Sequence, residues 1–235
     1  MPLTAVILAG GLGTRLRSVV PDLPKPMAPV AGRPFLEYLM DYWVAQGVSN
    51  FVLSVGYRKE AIIDHFGDAY RAIPVSYAIE QEPLGTGGGL LLAAQGLSET
   101  FLVLNGDTFF DVNLNQLEKF HKSRKSDWTF ALFRSTDTSR FMGMRLNANQ
   151  EITSLRVSAG EGDCLVNGGV YLVEPAALSR VQWQSDQKIS LEDEFLPSLQ
   201  RSGSRICGLA SAGHFLDIGL PNDYSRAPEL LLRNA

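Results

Sequence analysis

An α/β fold, with a mixed but mainly parallel central sheet flanked by helices and a small antiparallel extension in its second half, is what this 235-residue sequence predicts. Three observations lead to it. Through the first half, apolar strand-like runs alternate with stretches of helical length, the pattern of right-handed βαβ units. The second half changes to short strand-like runs separated by turn residues. And the first apolar run ends in a glycine-rich loop, AGGLG at 9–13, leaving the sheet at the edge where open α/β folds hold their ligands.

Taken in order, Ala5–Ala9 is the first strand, followed by a glycine- and proline-rich loop that closes at Pro34. Strands are then expected at Phe51–Val55, Val75–Glu80 and Phe101–Asn105. Helices fall between them at Pro34–Gln46, Lys59–Phe66 and Gly87–Gln95. Asn113–Lys125 is another helix, with Leu114, Leu117, Phe120 and His121 on one face. Trp128–Phe133, Phe141–Leu146, Ile152–Val157 and Val166–Val173 are short strands, and helices at Leu191–Gln200 and from Pro221 close the chain. No internal repeat and no hexapeptide-repeat tail is present.

Hydrophobic residues make up 45% of the chain and charged residues 20%, an ordinary globular composition. A chain of this length buries a core without needing a disulfide or structural metal. Cys164 and Cys207 lack partners at metal-ligand spacing and no signal-peptide pattern opens the chain, so two free thiols in a reducing, cytoplasmic setting are expected. No apolar run reaches the length of a membrane span. A net charge of −4 and a pI near 5.4 argue against a broad nucleic-acid surface. A polyanionic ligand would have to be held by a few local cations.

The glycine loop has the means to do so. Glycines at 10, 11 and 13 allow a tight turn and a close approach of bare N–H groups to an anion, and Arg15 and Lys25 stand within the same connection. Two familiar phosphate motifs fail here. There is no Gly-Lys for a Walker loop, and Leu16 stands where a dinucleotide-binding loop needs its third glycine.

The stretch LAGGLGTRL (8–16), followed by PKPM (24–27) and GRP (32–34), resembles the sugar-1-phosphate nucleotidyltransferase family. EPLGTGGGL (82–90), NGD (105–107), NGGVYLV (167–173), LEDEFLP (191–197) and FLDIGLPNDY (215–224) match in the same order, so the resemblance covers nearly the whole chain. It implies a Rossmann-like sheet and an enzyme that joins a nucleoside triphosphate to a sugar 1-phosphate and releases pyrophosphate. A single domain, 1–235, is then expected, with 1–126 mainly nucleotide-binding and 127–235 mainly sugar-binding. Small-molecule substrates are the expected partners, with no nucleic acid and no membrane; a homodimer is left open.

Site residues follow from the same resemblance. Leu8, Ala9, Gly10, Gly11, Gly13 and Thr14 would hold the nucleotide. Arg15 and Lys25 would neutralise its phosphates, Arg as a bidentate fork and Lys as a compact charge. Pro24 and Pro26 restrict the chain on either side of Lys25. Asp107 and Asp217, each at a strand end beside a glycine, would hold Mg2+, which takes oxygen ligands; either aspartate alone would read as a turn or cap. Arg15, Lys25 and Asp107 form the expected catalytic set. Asp111 reads as part of the cap of the next helix. None of the three histidines is needed by the chemistry.

Leu84, Gly85, Thr86 and Gly87 would pack on base and ribose. Glu80 or Glu82 could read guanine, whose edge offers two donors to an acceptor-only carboxylate; a solvated strand end is the alternative for both. Asn105, Gly106, Asn167, Gly168, Glu192 and Asp193 are implied for the sugar. Gly168 could instead serve close backbone packing, and Ser190 with Asp193 resembles an imperfect capping box. One departure stands out. Many relatives carry a lysine before the sugar-binding strand, but no lysine occurs between Lys125 and Lys188, leaving Arg156, Arg140 or Arg145 as replacements.

Within the family, LRSVVPDLPKPMAPV and EPLGTGGGL look most like the D-glycero-D-manno-heptose 1-phosphate guanylyltransferases. Mannose-1-phosphate guanylyltransferase and N-acetylmuramate-1-phosphate uridylyltransferase are alternatives. A glycosyltransferase would lack the triphosphate loop. An inactive nucleotide-sugar-binding regulatory subunit would lack the phosphate cations or the metal carboxylates.

Overall fold

The computed structural model describes residues 2–11, 20, 22–135, 143–157, 164–184 and 187–232, apart from the side chains of 156 and 157. The first half contains β1 (Leu3–Leu8), β2 (Pro29–Val30), β3 (Arg33–Pro34), α1 (Phe35–Ala45), β4 (Val48–Val55), α2 (Lys59–Phe66), β5 (Ala69–Tyr70), β6 (Ile73–Ile79), α3 (Gly85–Ala93), β7 (Phe101–Asn105), β8 (Thr108–Phe110) and α4 (Leu114–Arg124). The second half adds β9 (Trp128–Ser135), β10 (Gly143–Leu146), β11 (Ile152–Val157), β12 (Cys164–Val173), α5 (Pro175–Leu178), α6 (Leu196–Arg201), β13 (Ile206–Ala210), β14 (Phe215–Asp217) and α7 (Pro221–Leu231).

One large sheet runs in the order β11-β10-β12-β7-β1-β4-β6-β5, with β9 on the other edge of β12 and β13 beyond it. Its centre, β7-β1-β4-β6, is parallel. Alternation along each strand feeds two cores. Ala5 and Ile7 of β1 and Leu102 and Leu104 of β7 pack under α1 with Phe35, Leu39 and Trp43. Val6, Phe101 and Val103 face the opposite side, with Leu90 of α3 and Phe195. Both faces of β1 and β7 are therefore largely buried, which is why their sequences are almost wholly apolar, whereas β6, nearer the edge, alternates between buried and exposed positions.

β12 enters this parallel core antiparallel to both β7 and β9, and it turns the second half into the expected mixed extension. Beyond short elements such as β5, β8 and α5, two features differ from expectation. Ile206–Ala210, unassigned from sequence, forms β13 and pairs parallel with β9. The helix expected at Leu191–Gln200 begins as a π-helical turn over Leu191–Phe195 before continuing as α6. Of the strand expected from Phe141, the first two residues lie outside the described set.

Glycine gives α3 a poor intrinsic start, with Gly85, Gly87, Gly88 and Gly89 costing about 1 kcal/mol each relative to alanine. Tertiary contact explains them. A Cβ on Gly89 would come within 2.7 Å of Ser54 Oγ, and one on Gly87 within 3.0 Å of the Ile189 carbonyl oxygen. That carbonyl accepts from the Gly87 N–H at 3.0 Å. Bare backbone lets α3 press against the sheet on one side and against the segment before α6 on the other, and these two contacts shape the ligand cleft. α4 is capped by Asn113, whose side chain accepts from Gln116 N at 3.0 Å. Asp111 is therefore not the cap; it pairs with His214 Nδ1 at 3.0 Å.

Candidate active site

Beyond the carboxyl ends of β1, β4, β6 and β7 lies a cleft of about 620 Å³. The end of β1 and the loop after it contribute Leu8, Ala9, Gly10 and Gly11 to its lining, and α3 contributes Gly85, Thr86 and Gly89. Asn105 and Asp107 enter from the end of β7, Glu80 from the end of β6, and Glu192 from the π-helical turn. Gly13, Thr14, Arg15 and Arg140 lie outside the described residues, as does the side chain of Arg156.

At one end of the cleft Lys25 and Asp107 form part of the lining, and Asp217, behind it, joins them in a charge cluster. A 3₁₀ turn at Lys25–Met27, closed by Met27 N to Pro24 O at 2.8 Å, holds Lys25 with only 8% of its surface exposed. Its Nζ lies 2.6 Å from Asp107 Oδ2 and 3.4 Å from Asp217 Oδ1. The two carboxylates come from distant sequence but from one small ribbon. β8 and β14 pair antiparallel, with Thr108 opposite Asp217, and Ile218 N donates to Asp107 O at 3.1 Å. Both aspartates thus leave the same end of the ribbon, and Asp111 with His214 ties the other end. Gly219 completes the cluster: its N–H donates to Asp217 Oδ1 at 2.7 Å, and a Cβ there would fall on Lys25 Nζ. Gly106 is required at the turn before Asp107, since a Cβ would come within 2.7 Å of Leu8 O.

The other end is built around Glu80. Its carboxylate accepts from Leu84 N at 2.9 Å and from Ser54 Oγ at 3.3 Å. It lies against Gly10 and Gly89, where added side chains would overlap it. Burial pushes the Glu80 carboxyl above the usual carboxylate range, opposed by the Leu84 and Ser54 hydrogen bonds. Glu82 is exposed and stands outside the lining. Leu84 and Gly87 act through the backbone, the Leu84 carbonyl accepting from Ile189 N at 2.8 Å.

On the facing wall the expected sugar residues separate. Thr86 Oγ1 accepts from Leu191 N at 3.0 Å and lies 3.4 Å from Glu192 Oε2, linking that carboxylate to α3. Asp193 instead serves the turn. Its N–H donates to Ser190 Oγ at 3.1 Å, while Glu194, not Asp193, completes the capping box by accepting from Ser190 N at 2.8 Å. Asn167 spends its amide on Gly169 N, at 2.9 Å, and on the Tyr171 hydroxyl, at 2.7 Å, behind the lining. Burial, with Glu192 nearby, drives that hydroxyl well above its ordinary range. Gly168 gives room to the Phe110 ring.

Sequence reasoning passed over Lys188, which is exposed and lines the cleft beside Glu192. Arg145, on β10, does not line it. The one signal of Lys188 in the sequence is its place as the next lysine after the gap, four positions before Glu192.

The strand-end cleft thus holds a caged carboxylate at one end and a lysine paired with two carboxylates at the other. Residues 4–234 match the family model described as nucleotidyl transferase, and the chain belongs to that family. More particularly, it is 39% identical to the D-glycero-alpha-D-manno-heptose 1-phosphate guanylyltransferase of Aneurinibacillus thermoaerophilus, over 97% of each chain. It is 36% identical to the protein of the same name from Campylobacter jejuni, over 94% of this chain and 96% of that one. The crystal structure of HddC from Yersinia pseudotuberculosis complexed with GMP-PN aligns at a TM-score of 0.84 and 34% identity, covering 97% of this chain and 98% of that one. Among the described residues, no helix is long and apolar enough to cross a membrane.

Proposed function

We propose that the chain transfers a guanylyl group from GTP to a sugar 1-phosphate, with D-glycero-D-manno-heptose 1-phosphate the favoured acceptor. The products are a nucleotide-sugar and pyrophosphate. The observation that carries this reading is the distribution of charge in one cleft. A caged acceptor, Glu80, stands where a base would enter, and the Lys25–Asp107–Asp217 cluster stands where phosphates would lie.

In the reaction, a phosphate oxygen of the sugar 1-phosphate attacks the α-phosphorus in line as the bond to pyrophosphate breaks. No protein nucleophile is required, so the protein's part is positioning and charge. Glu80 retains acceptor capacity on both oxygens after meeting Leu84 and Ser54, enough for the N1–H and exocyclic amine of guanine. The backbone at Gly10 and Gly11 approaches the phosphates, and Arg15 and Lys25 neutralise them. Lys188 supplies the sugar-phosphate charge that the missing lysine would otherwise provide, and Glu192 accepts from sugar hydroxyls.

The carboxylates suit a magnesium ion. Oxygen-only donors match a hard cation, and the ammonium between them is evidence that a single cation can satisfy both. Bound by Asp107 and Asp217, magnesium would neutralise charge on the triphosphate. A division of labour between 1–126 for the nucleotide and 127–235 for the sugar, and a cytoplasmic setting, belong to the same proposal. A homodimer rests on the resemblance alone.

The test is a panel of GTP, UTP, dTTP and ATP against heptose, mannose, glucose and N-acetylmuramate 1-phosphates, read by pyrophosphate release with magnesium present. GTP with the heptose phosphate should lead. Preference for UTP or dTTP would overturn the guanine reading, and no turnover with any pair would favour a regulatory role.

A further inference from the structure

We propose that Lys25 competes with the divalent cation for its own ligands: the ammonium occupies the seat between Asp107 and Asp217, and a metal gains both carboxylates only as the lysine leaves them for the triphosphate. This rests on the proposed assignment of those two aspartates to a metal.

The seat is exclusive. Nζ lies 2.6 Å from Asp107 Oδ2 and 3.4 Å from Asp217 Oδ1, so one oxygen of each carboxylate is turned toward the same point. A magnesium ion bonded to those oxygens at about 2.0–2.1 Å would need the space the ammonium fills. The seat is also built. Gly219 leaves room where a Cβ would fall on Nζ, and its N–H orients the Asp217 oxygen that faces the lysine. Backbone motion at Lys25 is restricted, since Pro24 and Pro26 flank it and the 3₁₀ turn is buried. What remains free is the four-carbon stem, a flexible carrier of a point charge. The stem opens onto the cleft that Gly10 and Gly11 line, where phosphates would lie.

Two consequences follow. A metal arriving alone must displace a paired, largely buried ammonium and leave it uncompensated, which is unfavourable. A triphosphate supplies the displaced lysine with new oxygen partners, so nucleotide and metal each strengthen the other's binding by the same factor.

The test uses the full chain without nucleotide and titrates Mn2+, reading free ion by electron paramagnetic resonance. Lys25→Met should bind Mn2+ about tenfold tighter than wild type, within the usual range of site-to-site coupling. Lys25→Ala should move the same way, and Asp107→Asn added to Lys25→Met should abolish the gain. An affinity in both lysine variants that is unchanged or weaker overturns the proposal. Should the variants fail to fold, wild type supplies a second readout. Amine-reactive labelling of Lys25, followed by mass spectrometry, should accelerate several-fold at saturating Mn2+; an unchanged rate overturns the proposal. Neither readout uses turnover. Pyrophosphate release with no Mn2+ effect would sink this inference and keep the function; the reverse result would do the opposite.

Discussion

The two walls of the cleft are built on opposite terms. On the wall formed by the ends of β1, β4, β6 and β7, charged groups already have partners within the protein. Lys25 bridges two aspartates, and Glu80 is gripped by a backbone N–H and a serine hydroxyl. On the facing wall, Lys188 is exposed without a hydrogen bond or ion pair among the described residues, and Glu192 meets the Thr86 hydroxyl at a long 3.4 Å. The first wall holds its charges at the cleft before a ligand arrives; under the proposal above they exchange partners on binding, and little then remains to rearrange during reaction. The second is left to settle around its ligand. Substitutions on the first wall should therefore damage turnover, while those on the second should weaken binding of the acceptor.

Asp107→Asn probes the difference most strongly. It is nearly isosteric, and should cost turnover ~10³-fold while the melting temperature stays close to wild type. Pyrophosphate release and thermal melting on one preparation decide it, and chelation of divalent cations should reproduce the loss in wild type. A fully active Asp107→Asn would place the metal elsewhere. Lys25→Ala comes next, with about 2–4 kcal/mol of transition-state stabilisation lost, or roughly 30- to 1000-fold in kcat/KM. Wild-type kinetics in that variant would remove Lys25 from the machinery.

Across the cleft, Lys188→Ala should raise the KM for the sugar 1-phosphate by roughly tenfold or more, the scale of a charge-assisted contact, and leave the KM for GTP nearly unchanged. A loss confined to kcat would mean that the second wall is preorganised as well, and the contrast would collapse. Glu80→Gln exchanges one acceptor for a donor at a buried edge. It should narrow the GTP preference over UTP by about tenfold in competitive assays. If neither Glu80→Gln nor Glu82→Gln alters that preference, base reading belongs to the glycine backbone instead. Ser190→Ala removes a cap and should cost about 1 kcal/mol of stability by denaturant unfolding. Turnover should fall less than about twofold, because Glu192 is also held through Thr86, Thr86 itself taking the Leu191 N–H.

Much of the fold was legible because it is written in local periodicity. α2, β7 and the start of α7 fall where their patterns place them; β4 begins three residues earlier than expected, and β1 begins two residues earlier and ends one earlier. β13 was missed for a physical reason. ICGLA is five residues long, contains a glycine, and becomes a strand because β9 offers it a parallel edge. The π-helical turn was equally hidden: LEDEF has an ordinary helical pattern, and its widened turn is visible only where Phe195 N reaches back to Ser190 O at 2.9 Å. For the site, the ordered motifs pointed to the glycine loop, Lys25, Glu80, Asp107 and Asp217. The Ser190–Asp193 spacing allowed for a local cap, which the hydrogen bonds bear out, but the motifs could not say that Asn167 would be occupied locally or that Lys188 would line the cleft.

The sequence by itself determined the alternation of strands and helices, the strand-end position of the glycine loop, and the family, because each rests on residues close together in the chain. Only the tertiary structure decided that Lys25 meets carboxylates 82 and 192 positions away. It also decided that Asp111 meets a histidine 103 positions away, and that α3 is glycine-rich in order to press on Ser54 and Ile189. Secondary structure answers to neighbours along the chain, but a charge or a bare Cα answers to whatever packing brings within a few ångströms.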